Sequence, residues 1–255
     1  MENHYIRTTN NEQLRVILDV VSGSRAYGLH RPDSDYDYRG IFIPPAHKLL
    51  GFGMRETVSK QGEDATYHSL KKYLQLALKA NPNILEWLWV DSPNVSKEGQ
   101  ELIDNRRRFL SQLVHVTFGG YAMSHMKKME ASQGKSSGYA MHGERDASTD
   151  PASVAVNFDC KNAMHLIRLL LCGVELLKNG NFIVKQTEHA PVLRDIRDGH
   201  YSIESVLTLA HGLFTKMDDA LAETRLPKKP DSIWAEDFLV RIYHAEVLRT
   251  IKDPE

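Results

Sequence analysis

The sequence is short of cysteine and of long apolar runs, and both shortages restrict the classes of protein to which it can belong. Cys160 and Cys172 are the two cysteines in 255 residues. Twelve positions along one predicted helix would separate them by about 18 Å, which is too far for a disulfide. No run of about 18 apolar residues is present, and the first residues lack the basic start and apolar core of a signal peptide. We therefore expect a cytoplasmic protein without membrane association.

An excess of charge of one sign is also lacking. The chain has 32 Lys and Arg against 33 Asp and Glu, for a formal net charge of −1. A nearly neutral total carries no global signal of a polyanionic partner, so any site for nucleotides or nucleic acid must be argued from local clusters. The content of 42% hydrophobic and 25% charged residues is typical of a globular protein with one large or two small domains. It does not indicate an oligomeric state.

The apolar pattern changes character near residue 95. Short apolar or alternating runs predict strands over 14–21, 36–43 and 64–68. Apolar residues at helical spacing then predict helices over the ranges 70–78, 99–130, 159–179, 203–223 and 233–252. The segment 84–90 fits either state, and the Gly- and Ser-rich stretch 132–153 is expected to be a functional loop or a mobile segment. We predict an α+β fold with a small mixed-sheet core in 1–95 and a helical region in 96–255.

Three aspartates alternate within residues 33–37. Asp35 and Asp37 would point to the same face of a strand that begins here, with Asp33 joining them if the strand begins earlier. A bound cation keeps neighbouring carboxylates ionised, and hard oxygen ligands favour Mg²⁺ or Mn²⁺. Such loops are more often simple turns. An EF-hand loop does not fit, because Tyr38 stands at its glycine position and Pro44 at its glutamate position.

Gly23-Ser24 follows the first predicted strand directly. A glycine allows the backbone to approach a phosphate closely, and the serine hydroxyl and the following amides can donate hydrogen bonds to it. A helix beginning at Ser24 would add its positive end. Such a phosphate cradle beside carboxylates for a divalent ion is the combination that nucleoside triphosphate chemistry requires.

A strand, Gly-Ser and then Asp-x-Asp on the next strand resemble the DNA polymerase β-like nucleotidyltransferase superfamily. The block GSRAYGLHRPDSDYDYRGIFIPP is similar to one branch of it, the predicted nucleotidyltransferases associated with RNA ligases and RNA repair. The similarity continues in DATYHSLKKYLQLALKANPNILEWL and CKNAMHLIRLLLCGVELLKNGNFIV, and it runs from about Val16 to Ser202. It implies that Asp64 is a third catalytic carboxylate. Glu63 and Glu86 are the alternatives, and Glu86 also fits a solvent-facing helix charge.

Polar residues form one stripe along the apolar helix 159–179. They lie at spacings of four, three, four and three: Lys161, His165, Arg168, Cys172 and Glu175. The stripe is either the solvent-facing side of the helix or a cationic face suited to phosphates. Because a K-x-x-x-H-x-x-R block recurs in the branch that the chain resembles, we assign Lys161, His165 and Arg168 to nucleotide binding.

The resemblance implies a metal-dependent enzyme that transfers NMP from an NTP, such as ATP, to a hydroxyl acceptor and releases pyrophosphate. Its preferred acceptor is an RNA 3′ end in RNA repair or modification. Asp35, Asp37 and Asp64 would hold two Mg²⁺ or Mn²⁺ ions, and Gly23 and Ser24 would bind the nucleotide. Two alternatives stay open: AMP transfer to a protein hydroxyl, and a catalytically silent nucleotide- or RNA-binding module.

Overall fold

The structure, a computed structural model, describes residues 4–7, 13–60, 63–91, 94–133 and 158–252. The chain divides into two units, one formed by Met1–Leu113 with Leu226–Glu255 and the other by Val114–Arg225. The predicted boundary near residue 95 falls within the first unit, which also contains the end of the chain. Apart from its first two residues, the predicted loop 132–153 lies outside the described residues.

A mixed sheet of six strands belongs to the first unit. Its strands are β1 (His4–Arg7), β2 (Gln13–Ser22), β3 (Asp37–Ile43), β4 (Thr57–Ser59), β5 (Ala65–Ser69) and β6 (Asn94–Val95). The order is β1-β2-β3-β5-β4, with β6 beside β2. The β3–β5 pair is parallel, whereas each of the other pairs is antiparallel. The predicted α+β class with a mixed sheet is confirmed.

The three predicted strands correspond to β2, β3 and β5. The second begins at Asp37, so Asp35 precedes the sheet and Asp33 lies in a turn. Ile17, Leu18 and Ile41 are completely buried, as an apolar run in an interior strand requires. The other three strands have two to four residues each, which is too short for an alternating pattern to be recognised.

Ten α-helices lie in the described part of the chain. They are α1 (Gly23–Ala26), α2 (Ala46–Leu50), α3 (Leu70–Ala77), α4 (Pro82–Leu85), α5 (Lys97–Asp104), α6 (Leu113–Ala131), α7 (Cys160–Asn179), α8 (Ala190–Arg197), α9 (Ile203–Glu223) and α10 (Ser232–Lys252). Two 3₁₀ turns accompany them, at Glu86–Trp89 and Arg106–Phe109. Residues 84–89 of the ambiguous segment are therefore helical, and α8 was not predicted.

The single helix predicted over 99–130 is wrong, because the chain breaks there into α5, a 3₁₀ turn and α6. Two arginines of the turn are held by groups elsewhere in the first unit. The Arg106 side chain donates to the Leu88 carbonyl at 2.9 Å, and the Arg108 guanidinium pairs with Asp231 at 2.7 Å. The turn between α5 and α6 is thus tied to two parts of the first unit that are distant in sequence.

The last helix, α10, packs against α2 and α3 of the first unit. Its Tyr243 hydroxyl accepts a hydrogen bond from the Lys71 amide at 3.1 Å. Its Glu246 is 2% exposed and pairs with Arg15 of β2 at 3.3 Å. These contacts attach the end of the chain to the sheet and to the helix that follows β5.

The second unit is helical throughout its described residues. Helix α7 packs against α8 and α9, and the Asp159 side chain caps its first turn through the Asn162 amide at 2.9 Å. Cys160 and Cys172 are both free thiols, as predicted from their spacing. Among the helices that the structure describes in either unit, none is both long and apolar enough to cross a membrane.

Gly40 lies in β3 at a point where the sheet leaves no room for a β-carbon. A Cβ would lie 2.5 Å from the Leu18 carbonyl oxygen and 2.6 Å from the buried Tyr67 ring. We expect Gly40→Ala to lower the free energy of unfolding by about 2 to 3 kcal/mol, because neither neighbour can move away cheaply. Urea denaturation measures the change. Gly53→Ala is the control, since its Cβ would meet only the Lys48 side chain at 3.5 Å; equal midpoints for the two variants would contradict the prediction.

Candidate functional site

The end of β2 and the start of β3 bring Gly23 against Asp37. Ser22 and Asp37 are register partners in the antiparallel pair, so the residue after Ser22 lies beside the Asp37 side chain. A Cβ on Gly23 would lie 2.1 Å from Asp37 Oδ2, and Gly23 has φ of +67°. A glycine is therefore required here for two independent reasons, its backbone conformation and the close approach of the carboxylate.

The predicted helix after the Gly-Ser pair is a single turn, α1, which begins at Gly23 and not at Ser24. Its backbone is closed by two hydrogen bonds, from the Tyr27 amide to the Gly23 carbonyl at 3.1 Å and from the Leu29 amide to the Ser24 carbonyl at 2.9 Å. Such a short helix has little dipole of its own. Any affinity of this turn for phosphate must come from its amides and the Ser24 hydroxyl.

Arg25 attaches the loop that carries Asp35 to the Gly23–Ala26 turn. Its guanidinium donates to the Ser34 carbonyl at 2.7 Å and to the Asp35 carbonyl at 3.3 Å, and it lies 3.7 Å from the centre of the Tyr36 ring. The Asp35 side chain is exposed, and its negative charge contributes to raising the pKa of Asp37. Asp35 is therefore held near Asp37 by the loop and not by strand alternation.

The parallel pairing of β3 and β5 brings Asp64 to Asp37. The Tyr38 amide donates to the Asp64 carbonyl at 2.8 Å, one residue before the register partner Ala65. Burial raises the pKa of Asp37, and a hydrogen bond with the Asp64 side chain and the charges of Asp64 and Asp35 raise it further. The charges of both other predicted carboxylates therefore act on Asp37.

Arg39 lies among these acids and opposes their repulsion. Its guanidinium contacts the Asp64 carboxylate at 3.0 Å and the Asp37 carboxylate at 3.5 Å, and it also donates to the Tyr38 carbonyl at 2.8 Å. Within the described ranges, no three His, Cys, Asp or Glu side chains are grouped as a metal centre would require. The acids are adjacent, but the guanidinium takes part of the space between two of them.

The other two candidates for a third carboxylate differ from each other in their surroundings. Glu63 pairs with Lys60 at 2.7 Å and, together with Asp64, Asp19 and Tyr67, lines a cavity of about 520 Å³. Glu86 is 2% exposed, so its interpretation as a solvent-facing helix charge is wrong. Glu86 was hard to place because the segment 84–90 has no clear period.

A cleft of about 320 Å³ lies beside Gly23 and belongs entirely to the first unit. The residues that line it are Ser22, Gly23, Tyr27, Asp37, Arg39, Thr66, His68, Asn83, Ile84, Glu86 and Trp87. The sequence patterns did not identify Arg39, Thr66 and His68 as residues of the cleft. Strand alternation could have identified them. Arg39 lies on the same strand face as Asp37, and its register partner on β5 is Thr66. His68 is two residues after Thr66 and therefore lies on the same face of β5.

His68 gives the cleft an aromatic wall that carries no charge at neutral pH. Its ring stacks on Trp87 at 5.4 Å, and its Nδ1 lies 3.0 Å from the Thr57 hydroxyl. Burial lowers the pKa of His68, and the charges of Lys72 and Arg39 lower it further. The cleft therefore combines acids, one guanidinium and a flat aromatic surface.

The predicted stripe on α7 passes from the surface into the interior of the second unit. Lys161 is exposed, His165 is partly exposed and Arg168 is 2% exposed, so the stripe is not a solvent-facing side along its whole length. Burial lowers the pKa of His165 to about 3, with the charge of Arg168 the next cause. His165 is neutral at pH 7, which corrects the expectation of three consecutive cations. Its proposed role in nucleotide binding stays a prediction.

The lowered pKa of His165 predicts an acid-sensitive second unit. Between pH 6.5 and about 3 the unfolded chain binds a proton at this position and the folded chain does not, so the free energy of unfolding falls as the pH falls through this range. We expect the unfolding free energy of the His165→Gln protein to change less steeply with pH between pH 6.5 and about 3. Urea titrations at a series of pH values measure it. Above pH 6.5 the difference between the two proteins should be constant, and identical slopes below it would contradict the prediction.

Comparison with curated proteins finds two partial relatives. One is a Bacillus subtilis protein named "Uncharacterized protein YcgL", 35% identical over 82 residues, which cover 31% of this chain and 32% of the relative. The other is "Uncharacterized 38.9 kDa protein in nrdC-mobD intergenic region" of Enterobacteria phage T4, 31% identical over 115 residues, which cover 38% of this chain and 33% of the relative. The chain spans about a third of the length of the curated relatives it matches.

A family model covers far more of the sequence than either relative. It matches residues 2–222, which include the Gly-Ser turn, the acids around Asp37 and the α7 stripe. The chain belongs to the RNA repair pathway DNA polymerase beta family.

Proposed function

We propose that the protein transfers a nucleoside monophosphate from an NTP to a hydroxyl group, with an RNA 3′ end as the acceptor and pyrophosphate as the second product. Membership of the RNA repair pathway DNA polymerase beta family supports the reaction class and the RNA acceptor. The observation that carries the proposal is the packing of the Asp37 carboxylate on the α-carbon of Gly23. It supports the proposal because an acid suited to a cation lies directly beside the turn that would bind the phosphate tail.

The Gly23–Ala26 turn would bind the phosphates of the nucleotide. Gly23 presents no side chain to a ligand, and the Ser24 hydroxyl and the turn amides are donors suited to phosphate oxygens. Arg39 lies in the same cleft and has the planar guanidinium that binds phosphate in a bidentate manner. Lys161, His165 and Arg168 stay proposed nucleotide contacts, for which a lower NTP affinity of Lys161→Ala is the test.

The acids suit a hard divalent cation such as Mg²⁺ or Mn²⁺. Asp35, Asp37 and Asp64 offer carboxylate oxygens alone. Burial raises the pKa of Asp37 and the charges of Asp64 and Asp35 raise it further, so added positive charge would favour the ionised carboxylate. When bound, such ions activate an attacking hydroxyl and stabilise the charge of the leaving phosphates. Arg39 contacts the carboxylates of Asp37 and Asp64, so its guanidinium would compete with a cation for the oxygens of these two acids.

The acids provide the first test of the proposal. Asp37→Asn should lower the rate of NMP transfer about 10²- to 10³-fold, because it removes a charge at the reacting centre. Asp35→Asn and Asp64→Asn should act in the same direction. The assay follows labelled nucleotide from each of the four NTPs to an RNA 3′ end with Mg²⁺ or Mn²⁺. Asp33→Asn, in the turn before the sheet, is the matched control and should keep parental activity; a fully active Asp37→Asn protein would refute the proposal.

The same labelling experiment separates the possible acceptors. Label that enters RNA and is removed by ribonuclease supports the proposed acceptor. Label that enters protein and resists ribonuclease would indicate AMP transfer to a protein hydroxyl instead. Nucleotide binding in a thermal-shift assay without any transfer would indicate a catalytically silent module.

Gly23 provides a second test that does not depend on the acceptor. Gly23→Ala should weaken NTP binding about tenfold or more, because a Cβ forces Asp37 away and a positive φ strains any residue but glycine. Isothermal titration with a non-hydrolysable ATP analogue and Mg²⁺ measures the affinity, with Gly53→Ala as the control. Unchanged affinity in Gly23→Ala would separate the turn from nucleotide binding.

A further inference from the structure

Glu86 is a buried acid in the wall of the cleft. It begins the 3₁₀ turn Glu86–Trp89 and is 2% exposed. Its Oε1 accepts a hydrogen bond from the Ser22 hydroxyl at 2.8 Å and another from the Tyr27 hydroxyl at 3.2 Å. Burying a carboxylate is costly unless donors surround it, and these two hydroxyls are such donors.

The two donors lie at opposite ends of the same short turn. Ser22 immediately precedes Gly23, and Tyr27 immediately follows Ala26. One carboxylate oxygen therefore links the residue before α1 to the residue after it. An isolated four-residue turn has little stability of its own, so its shape depends on contacts of this kind.

The local sequence explains how Glu86 reaches this place. The Asn81 side chain caps α4 through the Asn83 amide at 3.1 Å, and Pro82 occupies the first helical position. Glu86 follows Pro82 by four residues and Asn83 by three, so it shares a helical face with them. Asn83 and Glu86 both line the cleft.

We infer that Glu86 is a positioning residue that fixes the Gly23–Ala26 turn for nucleotide binding. The inference rests on the proposed function, because it assigns the purpose of the turn to nucleotide binding. This role differs from that of a cation-binding third acid, because the Glu86 Oε1 accepts hydrogen bonds from two hydroxyls that flank the turn.

Removing the acceptor tests the inference. In Glu86→Ala the amides of Tyr27 and Leu29 should exchange with solvent about tenfold faster or more, because two hydrogen bonds that hold the turn are lost. In Glu86→Gln an oxygen can still accept, so most of the protection should return. The KM for the NTP should rise about tenfold in Glu86→Ala, with a smaller change in kcat, and should largely recover in Glu86→Gln.

Glu246→Gln is the matched control for general destabilisation. Glu246 is equally buried in the first unit, and it pairs with Arg15 and Arg249 away from the cleft. Its variant should lose stability without faster exchange at Tyr27 and Leu29. Tyr27→Phe removes one donor with little change of shape and should give a smaller effect of the same kind, which keeps the test available if Glu86→Ala does not fold.

The outcomes separate this inference from the proposed function. Parental exchange rates in the Glu86→Ala turn would overturn it, as would faster exchange with an unchanged KM. Faster turn exchange in Glu86→Ala, with no NTP binding by the parent protein, would confirm that Glu86 holds the turn but refute the proposed function. Faster amide exchange and a raised KM in Glu86→Ala, with parental values of each in Glu86→Gln, would support the inference and the proposed function together.

Discussion

The contact between the Asp37 carboxylate and the α-carbon of Gly23 is the constraint on which the rest of the site depends. It follows from the pairing of Ser22 with Asp37 at the open end of the β2–β3 ladder, so the sheet sets it and not a loop. Any side chain at position 23 would displace the acid. The Gly-Ser turn and the Asp-x-Asp segment, which are separated in sequence, thus lie side by side at this end of the sheet.

The electrostatics of the cleft are balanced, which explains how several acids can stay together. Burial and the charges of Asp64 and Asp35 raise the pKa of Asp37, and the charge of Arg39 lowers it. The hydroxyls of Ser22 and Tyr27 donate to Oε1 of the buried Glu86. Glu86 is therefore tied to the turn, whereas Asp35 is exposed to solvent.

The sequence predicted the parts of the fold whose pattern is local and long. The strands β2, β3 and β5 and the helices α7, α9 and α10 each present several periods of apolar spacing. The break within 99–130 could not be predicted, because it depends on contacts of Arg106 and Arg108 with residues distant in sequence. The short strands β1, β4 and β6 likewise exist through their pairing partners.

The site shows the same division between local and non-local information. Gly23, Ser24, Asp35 and Asp37 carry a recognisable motif, and the assignment of Asp64 needed the family resemblance as well. Arg39 and His68 could have been identified by alternation alone, since Arg39 stands two residues from Asp37 on β3 and His68 stands four residues from Asp64, which directly precedes β5. The burial of Glu86 could not, because a 3₁₀ turn beside a cleft leaves no periodic signal.

Helix α7 illustrates what spacing reveals and what it does not. The positions of Lys161, His165 and Arg168 correctly place them on one face, because helical geometry is local. Spacing does not reveal what covers that face, and the packing of the second unit buries Arg168 and removes the charge of His165. Of the three, Lys161 is the exposed one, so an anion from solution reaches it without rearrangement of the helix packing. A motif of cations at helical spacing therefore predicts a binding face only where burial leaves the charges in place.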